Sequence, residues 1–254
     1  VPDHLLDVFA AGPLYGGGQT LHAALEAWQR GTRPWPRVAQ RSAGNGALMR
    51  IAPVLLPSLA RPSRNLWADT VLAAACTHND RASNAACVAF VHLLWRCLSL
   101  ERPPAPAWWL DTFVSVMEAL EGETRYTPRV RTLDYSGPMS RFVATSVGRA
   151  LSERRPVVDA CKTWHSGAFL METIPSALYI LARHGDDPEE AIVRAVNDTV
   201  DNDTAAAIVG AAVGGLHGAR QLPAPWVAGL LGRTGASDDG RVQGLIHRAQ
   251  GVFG

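Results

Sequence analysis

The run Asp201-Asn202-Asp203-Thr204 places two carboxylates and a hydroxyl within four residues, where the polar stretch 195–200 meets a small-residue helix over 205–215. Hard oxygen ligands at this spacing suit Mg2+, Mn2+ or Ca2+. A competing reading is simpler: Asp201 or Asp203 caps the helix and Thr204 sits in its first turn. The positive dipole end of a helix does not itself attract a cation. On spacing alone the cap is the favoured reading of the two.

Three further clusters carry polar chemistry. In Gln40-Arg41-Ser42-Ala43-Gly44-Asn45-Gly46-Ala47-Leu48-Met49-Arg50, the Gly-Asn-Gly triplet is a tight-turn signature ahead of an apolar, helix-like run. Glycines let a backbone approach a ligand, and N–H groups ahead of a helix cradle phosphate. Ser42 and Asn45 add side-chain donors, and Arg50 either neutralises charge or braces the loop; the alternative is a plain connecting turn. Thr77-His78-Asn79-Asp80 sets a hydroxyl, an imidazole and a carboxylate between two helices, with Asp80 as a cap and His78 as a satisfied interhelical histidine as the alternatives. Between Ser166 and Pro175, Glu172 is expected to be a surface acid or a cap in preference to a site residue.

Other chemistries are excluded. The chain has no G-x-S-x-G elbow, no H-E-x-x-H pair and no Walker loop. Gly210, Gly214, Gly215 and Gly218 fall in a helical pattern, which predicts close packing against neighbouring helices, and His217 after them faces either core or solvent.

The elements that must position these clusters are helical throughout. Leu21, Ala24, Leu25 and Trp28 share one face of a helix over 20–31, and similar periodicity predicts helices over 64–76 and 80–99. Others are predicted near 107–121, 139–153, 157–164, 173–184, 187–197, 203–219, 223–232 and 238–250. Asp187-Pro188-Glu189-Glu190 is a helix start, with a cap, a proline and first-turn acids. Breakers such as Gly16-Gly17-Gly18, Pro34-Trp35-Pro36, Pro103-Pro104 and Pro223-Ala224-Pro225 separate the segments. No window alternates as a strand does, and no linker divides the chain, so the expectation is one all-α domain over 1–254.

Bulk properties narrow the classes. A chain of 254 residues with 47% hydrophobic and 19% charged residues can bury a sizeable core. A formal net charge of +1 offers no global field for nucleic acid or acidic membranes. No apolar run approaches the roughly 18 residues of a membrane span. Cys76, Cys87, Cys97 and Cys161 lack C-x-x-C spacing, so buried reduced thiols in a cytoplasmic protein are expected.

Taken in order, residues 42–53, 77–80 and 197–218, with Pro223 and Trp226 beyond, resemble the ADP-ribosylglycohydrolase family, which includes dinitrogenase-reductase-activating glycohydrolase. The resemblance covers most of residues 12–232. It implies an all-α fold whose central cleft holds a binuclear Mg2+ or Mn2+ site, and hydrolysis of the bond between ADP-ribose and an acceptor, often the guanidinium of a modified arginine. It implies Asp201, Asp203 and Thr204 as metal ligands, Ser42, Gly44, Asn45 and Gly46 as ADP-ribose contacts, and His78 as a ligand-contacting histidine. Paired divalent ions would hold ribose hydroxyls and lower the pKa of a bound water. The implied partner is an ADP-ribosylated protein or an ADP-ribose-containing small molecule, with neither nucleic acid nor membrane indicated.

The family pattern also includes an N-terminal glycine-aspartate-rich helix and a T-D-D-T element, which supply the other metal ligands and the usual general base. Nothing before Ser42 resembles them, and Asp186-Asp187 and Asp238-Asp239 read as caps. Val200 stands where many members have glycine. The expectation is therefore an N-terminally incomplete ADP-ribosylglycohydrolase-like domain with half its metal ligands and no assignable catalytic base. It is either a fragment of an active hydrolase, which the start at Val1 favours, or a protein that lost half its site. The rival readings are a non-catalytic binder of ADP-ribose or nucleotide, and a helical scaffold in which Asn45, Asp201 and Asp203 share no cavity.

Overall fold

Every residue over 170–182 is buried, and a helix buried on all sides belongs in the middle of a protein. The structure, a computed structural model, describes Asp7 and residues 18–32, 39–59, 63–230 and 241–253. Gly16-Gly17, Pro34-Trp35-Pro36 and the expected caps Asp238-Asp239 lie outside the described residues. The helices are α1 (Gln19–Gln29), α2 (Leu66–Ala74), α3 (Arg81–Cys97), α4 (Pro106–Glu121), α5 (Met139–Ser152), α6 (Val157–Trp164), α7 (Leu170–His184), α8 (Pro188–Asp198), α9 (Asn202–His217), α10 (Ala224–Leu230) and α11 (Arg241–Phe253). The central helix α7 packs against α4, α5, α6, α8 and α9, while α9 also packs on α3 and α8. Among the described residues there is no sheet, only three isolated bridges, and no helix is long and apolar enough to cross a membrane.

Local rules account for most boundaries. Asp80 accepts from Ser83 N at 3.1 Å and Asp187 from Glu190 N at 3.0 Å, so both are N-caps. The apolar run after the glycine turn forms 3-10 segments, Leu48–Arg50 and Ala52–Ser58, instead of an α-helix. Pro53 and Pro57 remove donors that a continuous α-helical ladder needs. Helix α7 begins three residues before the expected 173 and carries Pro175 in its second turn. An interior proline costs about 3 kcal/mol. Burying Leu170, Ile174, Leu178, Ile180 and Leu181 returns roughly 1.5–3 kcal/mol each, so packing wins.

One expectation is corrected. A Cβ at Gly210 or Gly214 would meet nothing within 4 Å, and at Gly215 only Cys97 Cβ at 3.9 Å, so these glycines do not serve close packing. Gly218 instead supplies the φ of +75° that ends α9. His217 faces the protein, with Nε2 donating to Gly185 O at 2.8 Å. All four cysteines are unpaired and buried, and burial pushes the Cys87, Cys97 and Cys161 thiols up to about 12.

The excursion between α4 and α5 is fastened by buried acid chemistry. Tyr126 donates its hydroxyl to the Asp80 carboxylate, 2.9 Å from both oxygens. Fully buried Glu121 accepts from Met139 N at 2.7 Å and Ser140 N at 2.8 Å, satisfying orphan donors at the start of α5, where no local side chain caps. Hydrogen bonds to a charged acceptor contribute about 1.5–3 kcal/mol. Glu121→Ala is therefore expected to lower the unfolding free energy by about 3 kcal/mol or more in a urea titration; a loss below about 0.5 kcal/mol would show that water replaces the carboxylate.

Candidate functional site

Four loops far apart in sequence are stitched together by main-chain bonds. Gln40 N donates to Thr77 O at 3.1 Å and Asn79 N returns to Gln40 O at 2.9 Å. Asn45 N donates to Ala168 O at 3.1 Å and Leu170 N to Ala43 O at 3.0 Å. Asp201 N then donates to Ser166 O at 3.0 Å and Val200 N to Ser166 Oγ at 3.0 Å. His165 and Ser166 hold φ values of +71° and +46°, two successive non-glycine residues in left-handed backbone. That conformation persists only where surroundings over-determine it, as the two bonds to Ser166 do.

The side chain of Asn45 ties the centre together. Its Nδ2 donates to Asp201 Oδ2 at 2.6 Å and to Thr173 Oγ1 at 2.8 Å, using both amide protons. Thr173 passes its own proton to Gly167 O at 2.7 Å. Asp201 occupies the N-cap position of α9, yet its side chain makes no capping bond, so the cap reading fails for this residue. Burial pushes the Asp201 carboxyl above the usual range. Hydrogen bonds from Asn45 and Thr204 act against that, while the hydrogen bond and charge of Asp203 add to it. Asp203 is exposed, with Oδ1 accepting from Thr204 N at 2.8 Å, and buried Thr204 directs Oγ1 to Met49 Sδ at 3.5 Å. The scaffold reading has Asn45, Asp201 and Asp203 sharing no cavity; the structure places Asn45 and Asp201 in direct contact, at 2.6 Å.

The glycine turn packs on the imidazole of His78. A Cβ at Gly46 would stand 3.0 Å from His78 Cε1, and one at Gly44 3.2 Å from Ser42 Oγ and 3.4 Å from His78 Nε2. Glycine at both positions is thus a requirement of close approach. The phosphate cradle is narrower than the sequence suggests. Gly44 N is held by Ser42 Oγ at 3.2 Å and Asn45 N by Ala168 O, so among the described residues Gly46 N is the member of the triplet without a bonded acceptor.

Beside this centre opens a cleft of about 350 Å³ lined by Arg129, Val130, His165, Ala168 and Glu172. Glu172 is 2% exposed, which corrects its expected place as a surface acid or cap. Its Oε1 is buried and has no hydrogen-bond partner among the described residues. Burial raises its pKa and the nearby Asp201 charge adds to that, while Arg129 and His165 pull it down. Arg129 stacks over the Phe169 ring at 4.7 Å. The sequence signal for this wall was slight: a His-Ser-Gly turn and an acid in the first turn of a helix. Arg129 carried no signal at all, because its position depends on the α4–α5 excursion.

The donor set can be tested against a divalent cation. Asp201 and Asp203 bring two carboxyls to one helix start, beside a Thr204 hydroxyl; burial foremost, with the hydrogen bond and charge of Asp203 adding to it, raises the Asp201 pKa, and a hard cation would favour the charged form. Those residues fit one side of a metal site. Among the described residues no group of three or more His, Cys, Asp or Glu side chains completes it.

Two outcomes follow from this geometry. Asn45→Ala removes the donor to the Thr173 hydroxyl and to a partly buried carboxylate, and is expected to cost about 1–3 kcal/mol by chemical denaturation; an unchanged midpoint would remove Asn45 as the central tie. Burial, aided by Arg50, lowers the His78 pKa from 6.5 to about 4. The folded state then binds fewer protons than the unfolded chain. The stability linked to neutral His78 is full above pH 6.5 and falls away towards pH 4, by on the order of 3 kcal/mol. His78→Gln should flatten that part of the stability–pH curve, and an unchanged slope would contradict the assignment.

A model of the family described as ADP-ribosylglycohydrolase matches residues 3–252. The chain is 26% identical over 212 residues to the ADP-ribosylarginine hydrolase Tri1 of Pseudomonas putida (strain GB-1), covering 83% of this chain and 48% of that protein. It is 24% identical over 210 residues to the uncharacterized protein YegU of Escherichia coli (strain K12), covering 81% and 59%. The chain thus spans roughly half the length of the curated relatives it matches. Its fold resembles a chain of an ADP-ribosylglycohydrolase-related protein complex, with a TM-score of 0.61 at 24% identity over 89% of this chain and 66% of that one. The extent of the family match, reaching from before the glycine turn to beyond the acidic pair, shows that the chain belongs to the ADP-ribosylglycohydrolase family.

Proposed function

We propose that this chain carries the ligand-holding centre of a glycosidic-bond hydrolase acting on ADP-ribosyl conjugates, with ADP-ribosylated arginine in a protein as the favoured substrate. The observation that carries the proposal is the 2.6 Å bond from Asn45 to Asp201, which joins the glycine turn to the acidic pair across 156 residues of sequence. The arginine acceptor is supported by the likeness to a protein named as an ADP-ribosylarginine hydrolase; small ADP-ribose-containing molecules are the other candidate substrates.

In this reading Gly46 N and the His78 imidazole donate to oxygens of ADP-ribose at the 42–46 turn, with Ser42 bracing the turn through Gly44 N. Asn45 holds the Asp201 carboxylate in place and so fixes where the ribose end of the ligand meets the acidic pair. The cleft beside Glu172 and Arg129 leaves space for the rest of the conjugate. Asp201, Asp203 and Thr204 would hold a Mg2+ or Mn2+ ion, which when bound neutralises their charge and lowers the pKa of a water. No general base is assigned. The buried, unpaired cysteines agree with a reducing cytoplasm as the working compartment.

The test is release of ADP-ribose from an ADP-ribosylated arginine peptide by the full-length protein, with Mn2+, with Mg2+ and with chelator. Asp201→Ala and Asp203→Ala are each expected to lower metal-supported turnover by about 100-fold or more, the scale of losing a group that stabilises developing charge. Unchanged turnover in both variants would sink the site. ADP-ribose binding in calorimetry that ignores metal, with no turnover, would favour a non-catalytic binder.

A further inference from the structure

Arg50 lies beside His78, and among the described residues no carboxylate pairs with it. Its Nη2 donates to Ala73 O at 3.1 Å and to Thr77 Oγ1 at 2.7 Å. Thr77 is 1% exposed, and its hydroxyl oxygen stands 2.8 Å from His78 Nδ1. A guanidinium has no acceptor, so Thr77 must accept from Arg50. The buried Thr77 proton then needs an acceptor of its own, and His78 Nδ1 is the one within reach. A buried hydroxyl proton left unbonded is costly, which disfavours the reverse arrangement with Nδ1 donating to Thr77. With Nδ1 accepting, the single proton of a neutral imidazole resides on Nε2. That atom lies against the glycine turn, 3.3 Å from where a Gly46 Cβ would stand.

We infer that Arg50 and Thr77 are positioning residues, whose guanidinium–hydroxyl–imidazole chain holds His78 as the Nε2–H tautomer and makes it a fixed hydrogen-bond donor to a phosphate or hydroxyl oxygen of a ligand in the 42–46 turn. The ligand half of the inference rests on the proposed ADP-ribose site; the tautomer half does not. No proton moves in this relay. Its effect is directional: an acceptor nitrogen at the same place would repel the ligand oxygen that an N–H attracts.

The test is a long-range proton–nitrogen NMR correlation on histidine-labelled protein at pH 7, with the His78 signals assigned by their loss in His78→Gln. The wild-type protein is expected to show protonated Nε2 and unprotonated Nδ1. Thr77→Val should shift His78 towards a tautomer mixture and weaken ADP-ribose binding about tenfold, one hydrogen bond's worth, with little change in kcat. Thr77→Ser should restore both. A protonated Nδ1 in the wild type, or wild-type spectra and affinity in Thr77→Val, would overturn the inference. If Thr77→Val does not fold, the wild-type tautomer and the Thr77→Ser rescue decide alone. The expected tautomer with no ADP-ribose binding would overturn the proposed function and the donor role, while leaving the positioning of His78 intact.

Discussion

The pair of hydrogen bonds made by the Asn45 amide is the constraint on which the site depends. One proton goes to Asp201 and the other to Thr173, so a single buried side chain joins the glycine turn, the start of α7 and the start of α9. An amide can serve here where a carboxylate cannot, because it offers two donors to two acceptors at once. The main-chain bonds around Ser166 and Ala168 then hold the loops at the spacing that amide needs.

Those loops are held because α7 is fixed. It is buried along most of its length and surrounded by five helices, which leaves it little freedom to shift relative to the rest of the core. Packing of this density transmits position faithfully. The interior proline and the left-handed residues before the helix are tolerated because so much apolar area is buried immediately after them. Stability in the scaffold thus underwrites irregular backbone at the site.

Charge is arranged in two opposed zones. On one side Asp201 and Asp203 crowd together, with burial and mutual repulsion raising the Asp201 pKa. On the other, Arg50 has no carboxylate partner among the described residues, and burial, aided by Arg50, keeps neighbouring His78 neutral. Between them lies the glycine turn, with Gly44 and Gly46 packed closely on the imidazole. A molecule with anionic oxygens at one end and cation-seeking hydroxyls at the other matches that polarity.

Much of the helical framework was legible from periodicity, and the Asp80 and Asp187 caps from residue type, because both are set within a few residues of chain. Ser42, Gly44, Asn45, Gly46, His78, Asp201, Asp203 and Thr204 could also be singled out, since glycine turns and paired acids announce themselves locally. Other features were hidden. The start of α7 was misjudged because the proline rule is local, whereas the burial that overrides it is tertiary. Glu172 looked like an ordinary first-turn acid until α7 proved to be central, and Arg129 had no local signature. The sequence alone marked which residues are candidates for binding an anionic ligand or a cation. Only the tertiary structure decided that Asp201 answers to Asn45 as well as to Asp203 and Thr204 of its own helix, because a hydrogen bond across 156 residues depends on packing that no local pattern encodes.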